Sequence, residues 1–396
     1  MTLLKPNRIS LPKGFLLGAS SSAHQVEGNN TNNDWWHYEQ AELLPKSGVA
    51  ADHYNRYQED FGLAKQMGLN AMRISVEWSR IEPEEGHFDH KEIEHYRAVL
   101  LSLKKLRLTR MVTLHHFTLP WWVAKQGGFQ NKKTIVHFTS FAKFVAEQLG
   151  TEVDLWCTIN EPEIFSLLGY MRGWWPPFKK SPLAMWQTLS HLIAAHKAAY
   201  RAIKSALPSA QIGIVKNNVY YEPARPQNIL DRAVVNFSNK FTNEYILNRV
   251  KDQLDFIGLN YYFYHTLRFH PFKLYEQVNR EGPKSDMGWR TYPNGLYFLL
   301  KGLAKYGKPI YVTENGIANA RDDMRKNFIT EHLAAAAKAL AEGVDVRGYF
   351  YWSLTDTYEW HDGFNPKFGL VEIDFNTEER RVRPSSEVFK QLSRII

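Results

Sequence analysis

The sequence predicts an α/β protein built as one (β/α)8 TIM barrel that spans residues 1–396 as a single catalytic domain. Eight short runs rich in apolar and β-branched residues recur along the chain, and helical patterns separate most of them. Strands that alternate with helices pair in parallel through right-handed crossovers, and eight such units close a barrel. The competing fold, an open doubly wound sheet, needs a Gly-x-Gly-x-x-Gly turn after its first strand. Gly18 and Gly28 do not form that pattern, so the barrel is preferred.

The predicted elements follow one another with short connections. Amphipathic stripes with a spacing of three and four residues predict helices at 54–68, 93–103 and 138–145, and longer patterns predict two more at 183–206 and 327–342. The eight predicted strands are 15–22, 71–78, 110–117, 154–162, 211–219, 255–263, 309–317 and 346–354.

Composition excludes several classes of protein. One cysteine, Cys157, excludes an intramolecular disulfide framework, and no stretch approaches the roughly 20 apolar residues of a membrane span. The formal net charge of +8 comes from scattered basic residues, which is typical of solvated faces rather than of a nucleic-acid interface. The first residues lack a secretory apolar core. We therefore expect a cytoplasmic protein without nucleic-acid or membrane partners, and the sequence leaves the oligomeric state open.

Polar residues cluster where the predicted strands end. In a barrel of this kind the active site lies at the C-terminal ends of the strands, so these residues are candidates. A barrel end this polar is difficult to explain by packing alone. The candidates are Gln25, Arg73, Glu77, Trp78, His115, His116, Asn160, Glu161, Asn260, Tyr262, Glu314 and Trp352, with Lys216, Asn217 and Asn218 undistinguished at the fifth strand.

Two of these strand ends carry a glutamate with distinct neighbours, Glu161 between Asn160 and Pro162 on the fourth strand and Glu314 between Thr313 and Asn315 on the seventh. The two strands face each other across an eight-stranded barrel, so both carboxyls can enter one cleft. Glycosidic hydrolysis needs such a pair, one as proton donor and the other as nucleophile or base. A separation of roughly 5–5.5 Å gives retention and about 6.5–9.5 Å gives inversion, a distance that the sequence does not supply. Arg73 and Tyr262 are available to keep Glu314 ionised.

The sequence favours neither a metal nor another cofactor. His115 and His116 are adjacent, so on a strand they point to opposite sides and cannot bind one ion together. Neither a His-Glu-x-x-His nor a Cys-x-x-Cys spacing occurs. Twelve Trp and twenty Tyr are many for this length, and such side chains bind the apolar faces of sugar rings. We therefore expect a small-molecule glycoside or oligosaccharide as substrate.

Across nearly its whole length, the sequence resembles the family 1 glycoside hydrolases, the β-glucosidase and β-galactosidase family of the 4/7 barrel superfamily. Many motifs occur in the family's order, which makes the match specific. They are Phe15-Leu-Leu-Gly-Ala-Ser-Ser-Ser-Ala-His-Gln-Val-Glu-Gly28, Arg73-Ile-Ser-Val-Glu-Trp-Ser-Arg80, His116-Phe-Thr-Leu-Pro120, Asn160-Glu161-Pro162, Gly258-Leu-Asn-Tyr-Tyr262, Thr313-Glu-Asn-Gly316, Tyr351-Trp-Ser-Leu354 and Glu359-Trp360.

The resemblance implies a role for each matching residue. Glu161 matches the acid/base, Glu314 the nucleophile, and Asn160 the residue that holds the sugar 2-hydroxyl. Arg73 and Tyr262 match the partners that orient the nucleophile, and Asn260 is grouped with these supporting residues. The residues that match the sugar-binding positions are Gln25, His116, Glu359 and Trp360 around the hydroxyls, Trp352 beneath the ring, and Trp289 with Phe368 toward the aglycone.

The implied function is a retaining β-glycosidase that acts through a covalent glycosyl-enzyme on terminal β-D-glucosides, and on β-galactosides and β-fucosides. Glu359 and Trp360 stand where phospho-β-glycosidases carry a phosphate-binding set, which favours an unphosphorylated sugar. Two alternatives are a transglycosidase that uses the same site and a non-catalytic sugar-binding barrel, whose signature would be the loss of one glutamate.

The chain departs from the family pattern at two places. Phe117 stands where many members have Trp, which removes an indole N–H from the site. The stretch 220–254 looks abbreviated, so we expect helices to be missing there and the aglycone side to be more open.

Overall fold

Eight parallel strands form a closed barrel in the order β1-β2-β3-β4-β5-β7-β10-β11 in the computed structural model, which describes residues 9–278 and 282–393. The predicted (β/α)8 barrel is confirmed, and each barrel strand lies within or one residue outside a predicted range. The strands are β1 (Leu16–Ser20), β2 (Ala71–Ser75), β3 (Thr109–His115), β4 (Leu155–Asn160), β5 (Ile212–Asn217), β6 (Tyr220–Pro223), β7 (Phe256–Asn260), β8 (Tyr264–His270), β9 (Leu274–Val278), β10 (Ile310–Asn315), β11 (Val346–Trp352), β12 (Val371–Asp374) and β13 (Glu379–Val382).

Helices connect the strands, and the five predicted helical patterns fall on α3, α5, α7, α9 and α13. None of the helices described is both long and apolar enough to cross a membrane. The α-helices are α1 (Ala23–Val26), α2 (Asp34–Gln40), α3 (His53–Gln66), α4 (Trp78–Ile81), α5 (His90–Lys105), α6 (Trp121–Lys125), α7 (Lys133–Leu149), α8 (Pro162–Ser166), α9 (Pro182–Ala206), α10 (Ile229–Ser238), α11 (Tyr245–Val250), α12 (Pro293–Leu303), α13 (Arg325–Ala341) and α14 (Glu387–Leu392).

Shorter turns extend several of these helices. Two are π-helical, Leu167–Arg172 after α8 and Asn239–Glu244 after α10. The 3₁₀ turns are Gly128–Gln130, Gly150–Glu152, Lys251–Gln253, Ala304–Tyr306, Trp360–Asp362 and Pro384–Ser386.

Helix α5 illustrates why these segments form helices. The Asp89 carboxylate caps its first turn by accepting a hydrogen bond of 2.8 Å from the Lys91 N–H, which satisfies one of the free N–H groups there. Its apolar residues repeat every three or four positions, so they form one buried face that packs on the barrel: Ile93, Tyr96, Val99, Leu100 and Leu103.

The interior of the barrel changes character along its axis. Toward the N-terminal ends of the strands, inward side chains form an apolar cluster that fills the barrel: Ala71, Met111, Leu155, Cys157, Val215, Phe256, Tyr311 and Phe350. Nearer the C-terminal ends the interior becomes polar, beginning with Arg73 and Thr113, whose side chains share a hydrogen bond of 3.0 Å. The polar end therefore rests on a packed apolar layer.

The expectation that helices are missing from 220–254 is wrong. That segment contains β6, α10, the π-helical turn and α11. Helix α10 buries Val234 and Val235 in a small core with Leu267 of β8. Strands β6, β8 and β9 form a separate sheet outside the barrel, and β12 with β13 forms a hairpin, neither of which the sequence predicted.

Candidate active site

The two predicted glutamates lie at the same polar end of the barrel. Glu314 is on β10, and Glu161 follows the last residue of β4. Their exposed fractions are 4% and 5%, so both carboxyls are almost equally buried. Asn260 of β7 connects them, because it pairs with Glu314 in the sheet and its Nδ2 donates to Glu161 Oε1 at 2.7 Å. The structure therefore brings both carboxyls to one site.

Glu314 is held by a cation and a phenol. Arg73 Nη1 forms an ion pair with Glu314 Oε1, and the Tyr262 hydroxyl donates to Oε2 at 2.9 Å. Burial raises the pKa of Glu314, while Arg73 and Tyr262 oppose that effect by stabilising the charged form. Both carboxylate oxygens thus accept hydrogen bonds from donors suited to an anion.

Arg73 ties several strands together as well as pairing with Glu314. Its guanidinium is fully buried on β2. Nη2 donates to Asn160 Oδ1 at 2.7 Å, and Nε donates to Thr113 Oγ1 at 3.0 Å. Because the planar fork of arginine has several donors in fixed directions, one side chain orients residues from β3, β4 and β10.

Glu161 is surrounded by amides and other carboxylates. Asn260 and Asn217 both donate to Oε1, at 2.7 and 2.9 Å. Burial, followed by the negative charges of Glu314 and Glu163, raises the pKa of Glu161 to about 8. Because Oε1 accepts from two N–H groups, the proton of the neutral acid belongs on Oε2. The raised pKa thus favours the neutral form of Glu161 at neutral pH, with its proton on Oε2.

The backbone at Glu161 takes a left-handed conformation, with φ of 42°. A non-glycine residue in that region costs about 1–3 kcal/mol and persists where surrounding structure enforces it. Pro162 follows as the first residue of α8, and its ring disfavours the right-handed helical region for the residue before it. The Glu161 N–H donates to Val215 O of β5 at 2.9 Å, which fixes the residue on the barrel.

Trp352 and Glu359 form one wall of the site. Trp352 Nε1 donates to Glu359 Oε1 at 3.1 Å, and the Thr357 hydroxyl donates to the same oxygen. Burial raises the pKa of Glu359 to about 7, although these two hydrogen bonds act to lower it. Gly316, just after the Glu314 strand, permits this wall to approach, because an added Cβ would lie 1.9 Å from Trp352 O.

His116 and Trp360 extend the wall across the barrel end. The His116 ring stacks on Trp352 with centroids 5.8 Å apart and on Trp360 at 6.3 Å. His116 Nε2 lies 3.3 Å from Asn160 Nδ2. Phe117 packs on Trp360 at 5.4 Å and on Trp175 at 4.9 Å. It thus supports the wall through ring packing.

Gln25 lies at the edge of the same wall, and its polar atoms already have protein partners. Its Nε2 donates to Tyr358 O at 2.9 Å, and its Oε1 accepts from the Ser22 hydroxyl at 2.7 Å. The residue is fully buried. These bonds attach α1 to the segment before Glu359.

An aromatic cluster lies on the Glu314 side of the site. The Trp289 ring is 5.9 Å from Tyr262 and 6.0 Å from Phe368, and Ala318 and Trp352 belong to the same cluster. Trp289 and Tyr262 are half-buried, whereas Phe368 is buried. The two residues assigned to the aglycone side thus lie beside Tyr262, which holds Glu314.

Other candidates at the strand ends lie away from the carboxyls. His115 points outward and packs against Phe129 and Phe165, with ring centroids 5.2 and 5.3 Å away. Trp78 begins α4 rather than ending β2, and its ring stacks on Phe141 of α7 at 5.1 Å. Glu77 accepts hydrogen bonds from Ser79 and Thr118. These residues hold helices on the barrel.

The sequence analysis assigned no role to two residues beside Glu161. Asn217 was one of three consecutive polar residues at the fifth strand, and only the structure shows that its amide reaches the Glu161 carboxyl. Glu163 follows Glu161 by two positions, and its proximity in sequence was the only available signal. Within 9–278 and 282–393, no group of three or more His, Cys, Asp or Glu side chains is arranged to hold a metal ion.

Known proteins resemble this chain over nearly its whole length. A family model described as "Glycosyl hydrolase family 1" matches residues 7–251 and 237–395. The β-glucosidase A of Thermotoga maritima is 32% identical over 94% of this chain and 95% of its own length.

Solved structures show the same likeness. The β-glycosidase from Pyrococcus horikoshii superposes with a TM-score of 0.92 and 39% identity, over 98% of this chain and 95% of that one. The Thermotoga maritima β-glucosidase in complex with glucoimidazole gives a TM-score of 0.92 and 30% identity, over 97% and 98% of the two chains. The latter protein has also been solved with galacto-hydroximolactam. Together with the family model that covers nearly its whole length, these likenesses place the chain in glycoside hydrolase family 1.

Proposed function

We propose that this family 1 enzyme is a retaining β-glycosidase that hydrolyses terminal unphosphorylated β-D-glucosides, and also β-galactosides and β-fucosides. The observation that carries the proposal is the contrast between two equally buried glutamates. Glu314 has a guanidinium and a phenol at its oxygens, whereas Glu161 has two amides and a nearby carboxylate. One glutamate is equipped to stay ionised and the other to keep a proton.

The reaction proceeds in two displacements. Glu161 Oε2 donates its proton to the glycosidic oxygen while a Glu314 oxygen attacks the anomeric carbon, so the C–O bond to the aglycone breaks as the ester forms. Glu161, now a carboxylate, accepts a proton from water, and the water oxygen displaces Glu314 from the anomeric carbon. Two inversions give net retention, and the proton balance returns to its starting state.

The surrounding residues support charge development in these steps. Asn160 lies between Arg73 and His116, and its Nδ2 is the group available to donate to the sugar 2-hydroxyl. The Trp352 ring, which stacks on His116, presents apolar surface to the sugar ring. Glu359 with Trp360 completes the set for the remaining hydroxyls.

Glu359 supports the preference for unphosphorylated sugars. Its hydrogen-bond donors are a Thr357 hydroxyl and the Trp352 indole, and neither carries positive charge. A phosphate dianion beside this carboxyl would gain no cationic partner and would meet a repelling charge whenever Glu359 ionises. Hydroxyl groups, by contrast, can donate to it.

A panel of aryl β-glycosides tests the proposal, with the anomer of the first-formed product followed by NMR. We expect release of nitrophenol from β-glucosides, β-galactosides and β-fucosides, little from the 6-phosphate, and the β-anomer as first product. An α-anomer first would refute retention. No release from any aryl β-glycoside would refute hydrolysis and favour the non-catalytic barrel, and a glycosylated acceptor in place of free sugar would favour transglycosylation.

A further inference from the structure

A second buried charge pair lies behind the acid/base glutamate. Glu163 is on α8, two residues after Glu161, and its Oε1 lies 2.5 Å from Lys216 Nζ. The Lys216 side chain is fully buried, and that of Glu163 is 18% exposed. Ionised side chains enter a protein interior only when they are paired, so the structure is built to hold both charges at this place.

Lys216 is fixed in position by three acceptors. Besides Glu163, its ammonium donates to Thr242 O at 3.0 Å and to Asn217 O at 3.2 Å. An ammonium has three N–H donors, so each has an acceptor. Thr242 belongs to the π-helical turn 239–244, which connects this charge to the segment outside the barrel.

The pair binds both the backbone N–H and the backbone carbonyl of Asn217. The Asn217 N–H donates to Glu163 Oε1 at 2.8 Å, and the Asn217 carbonyl accepts from Lys216. The Asn217 side chain, fixed in this way, donates from Nδ2 to Glu161 Oε1 at 2.9 Å. A continuous set of contacts therefore runs from the charge pair to the acid/base carboxyl.

We propose that Glu163 and Lys216 form a positioning pair that orients Asn217 toward Glu161 and places one negative and one positive charge behind the acid. The inference rests on the proposed role of Glu161 and deepens it. Neither residue contacts the reacting atoms in this assignment, so both act through the acid/base. Their charges have opposite signs, and their effects on the proton of Glu161 are therefore opposite as well.

Other charged and titratable groups also lie at this end of the barrel, and the pair acts in addition to them. Each belongs to a different strand or to the segment after it, and none is changed in the variants below: Arg73 of β2, His116 after β3, Tyr262 after β7, Glu314 of β10 and Glu359 after β11.

The test compares Glu163→Gln and Lys216→Met in the full chain, using kcat/KM for phenyl β-glucoside as a function of pH. Phenolate is a poor leaving group, so the rate depends on a protonated Glu161. We expect the basic limb of the profile to move down by about half a pH unit in Glu163→Gln and up by about as much in Lys216→Met.

A matched control separates charge from packing. Lys204 pairs with Asp255 at 2.9 Å beside the opposite, N-terminal end of β5, so Lys204→Met removes a lysine pair away from Glu161. We expect its basic limb to stay in place. The leaving group of 2,4-dinitrophenyl β-glucoside needs little protonation. With this substrate, the two pair variants should therefore keep kcat/KM within about threefold of the wild type.

The outcomes are distinct. Basic limbs that move in opposite directions support the inference. A loss of packing alone would not shift the pKa of Glu161 down in one variant and up in the other. An unchanged limb in Glu163→Gln overturns it, and this near-isosteric variant decides the question alone if Lys216→Met does not fold. Limbs that move the same way in both variants, or in Lys204→Met as well, also overturn it. A wild-type protein that releases no phenol refutes the proposed function itself.

Discussion

The surroundings of Glu314 and Glu161 differ although the two residues are identical and almost equally buried. Glu314 is bound by Arg73 and Tyr262, both of which favour a carboxylate. Glu161 is bound by neutral amides, lies near the Glu163 charge, and has a left-handed backbone. Burial raises the pKa of both carboxyls, so burial alone does not separate their roles. The identity of the hydrogen-bond donors separates them.

The largest effect is expected when Glu314 is removed. Glu314→Gly should lower kcat on aryl β-glucosides by about 10⁴-fold or more, because loss of a nucleophile removes the whole covalent route. Azide or formate should restore activity by occupying the vacated space, and azide should give an α-glycosyl product by a single inversion. Recovery of the β-glycosyl azide, or no rescue, would contradict the role of Glu314.

Removing Glu161 should have an effect that depends on the leaving group. We expect Glu161→Ala to reduce kcat/KM for phenyl β-glucoside by about 10²–10⁴-fold, the usual contribution of general acid catalysis. Formation of the intermediate from 2,4-dinitrophenyl β-glucoside should change far less. The wild type should lose activity on phenyl β-glucoside as the pH rises through about 8, and this basic limb should disappear in the variant. Equal losses on both substrates would contradict an acid role.

Tyr262→Phe changes the surroundings of Glu314 and leaves those of Glu161 as they are. Loss of one hydrogen bond to the charged form should lower kcat/KM by about 10²-fold. It should also raise the pKa of Glu314, because Tyr262 stabilises the ionised carboxylate. The nucleophile must be ionised, so the acid limb of the pH profile should move to higher pH. A shift to lower pH, or of the basic limb alone, would argue against this assignment.

The smallest effect is expected from a substitution in the apolar layer beneath both glutamates. Cys157 lies in the apolar layer of the barrel, where burial raises the pKa of its thiol to about 11, so it stays neutral. Cys157→Ala should change kcat/KM by less than about threefold. The free energy of unfolding should fall by about 1 kcal/mol, from the small cavity left behind, as measured by chemical denaturation. A tenfold loss of activity would show that this layer contributes more than packing.

The barrel, and the placement of Glu161 and Glu314 in one site, could both be predicted from the sequence. Apolar runs alternating with helical stripes are a long-range pattern, so they predicted all eight barrel strands despite errors at the ends. The contacts of Asn217 were not predictable. Alternation assigns side chains to faces only while the register is regular, and the β4–β5 pairing shifts between Cys157 and Asn160. A comparable shift between Val312 and Glu314 affects β10.

For the segment 220–254, the sequence predicted too little secondary structure. Its shortness suggested missing helices, yet both helices form: α10 packs on the outer sheet, and α11 buries Ile246, Leu247 and Val250 in the main core. The apolar residues of α10 pack on Leu267, a partner more than twenty residues later in the chain. A tertiary contact of that kind decides whether a short helix forms, and local sequence does not contain it.

The Arg73–Glu314 ion pair has a consequence for assembly of the chain. Arg73 belongs to the second of the eight barrel strands and Glu314 to the seventh, so the pair closes only after both halves of the barrel have met. A buried charge without its partner costs about 3–5 kcal/mol, which penalises partly closed barrels that already enclose Arg73. A fragment ending after β4 would carry this cation without its anion. The Arg73–Glu314 pair therefore favours the fully closed barrel over partly closed forms, because it forms only when strands from both halves are in place.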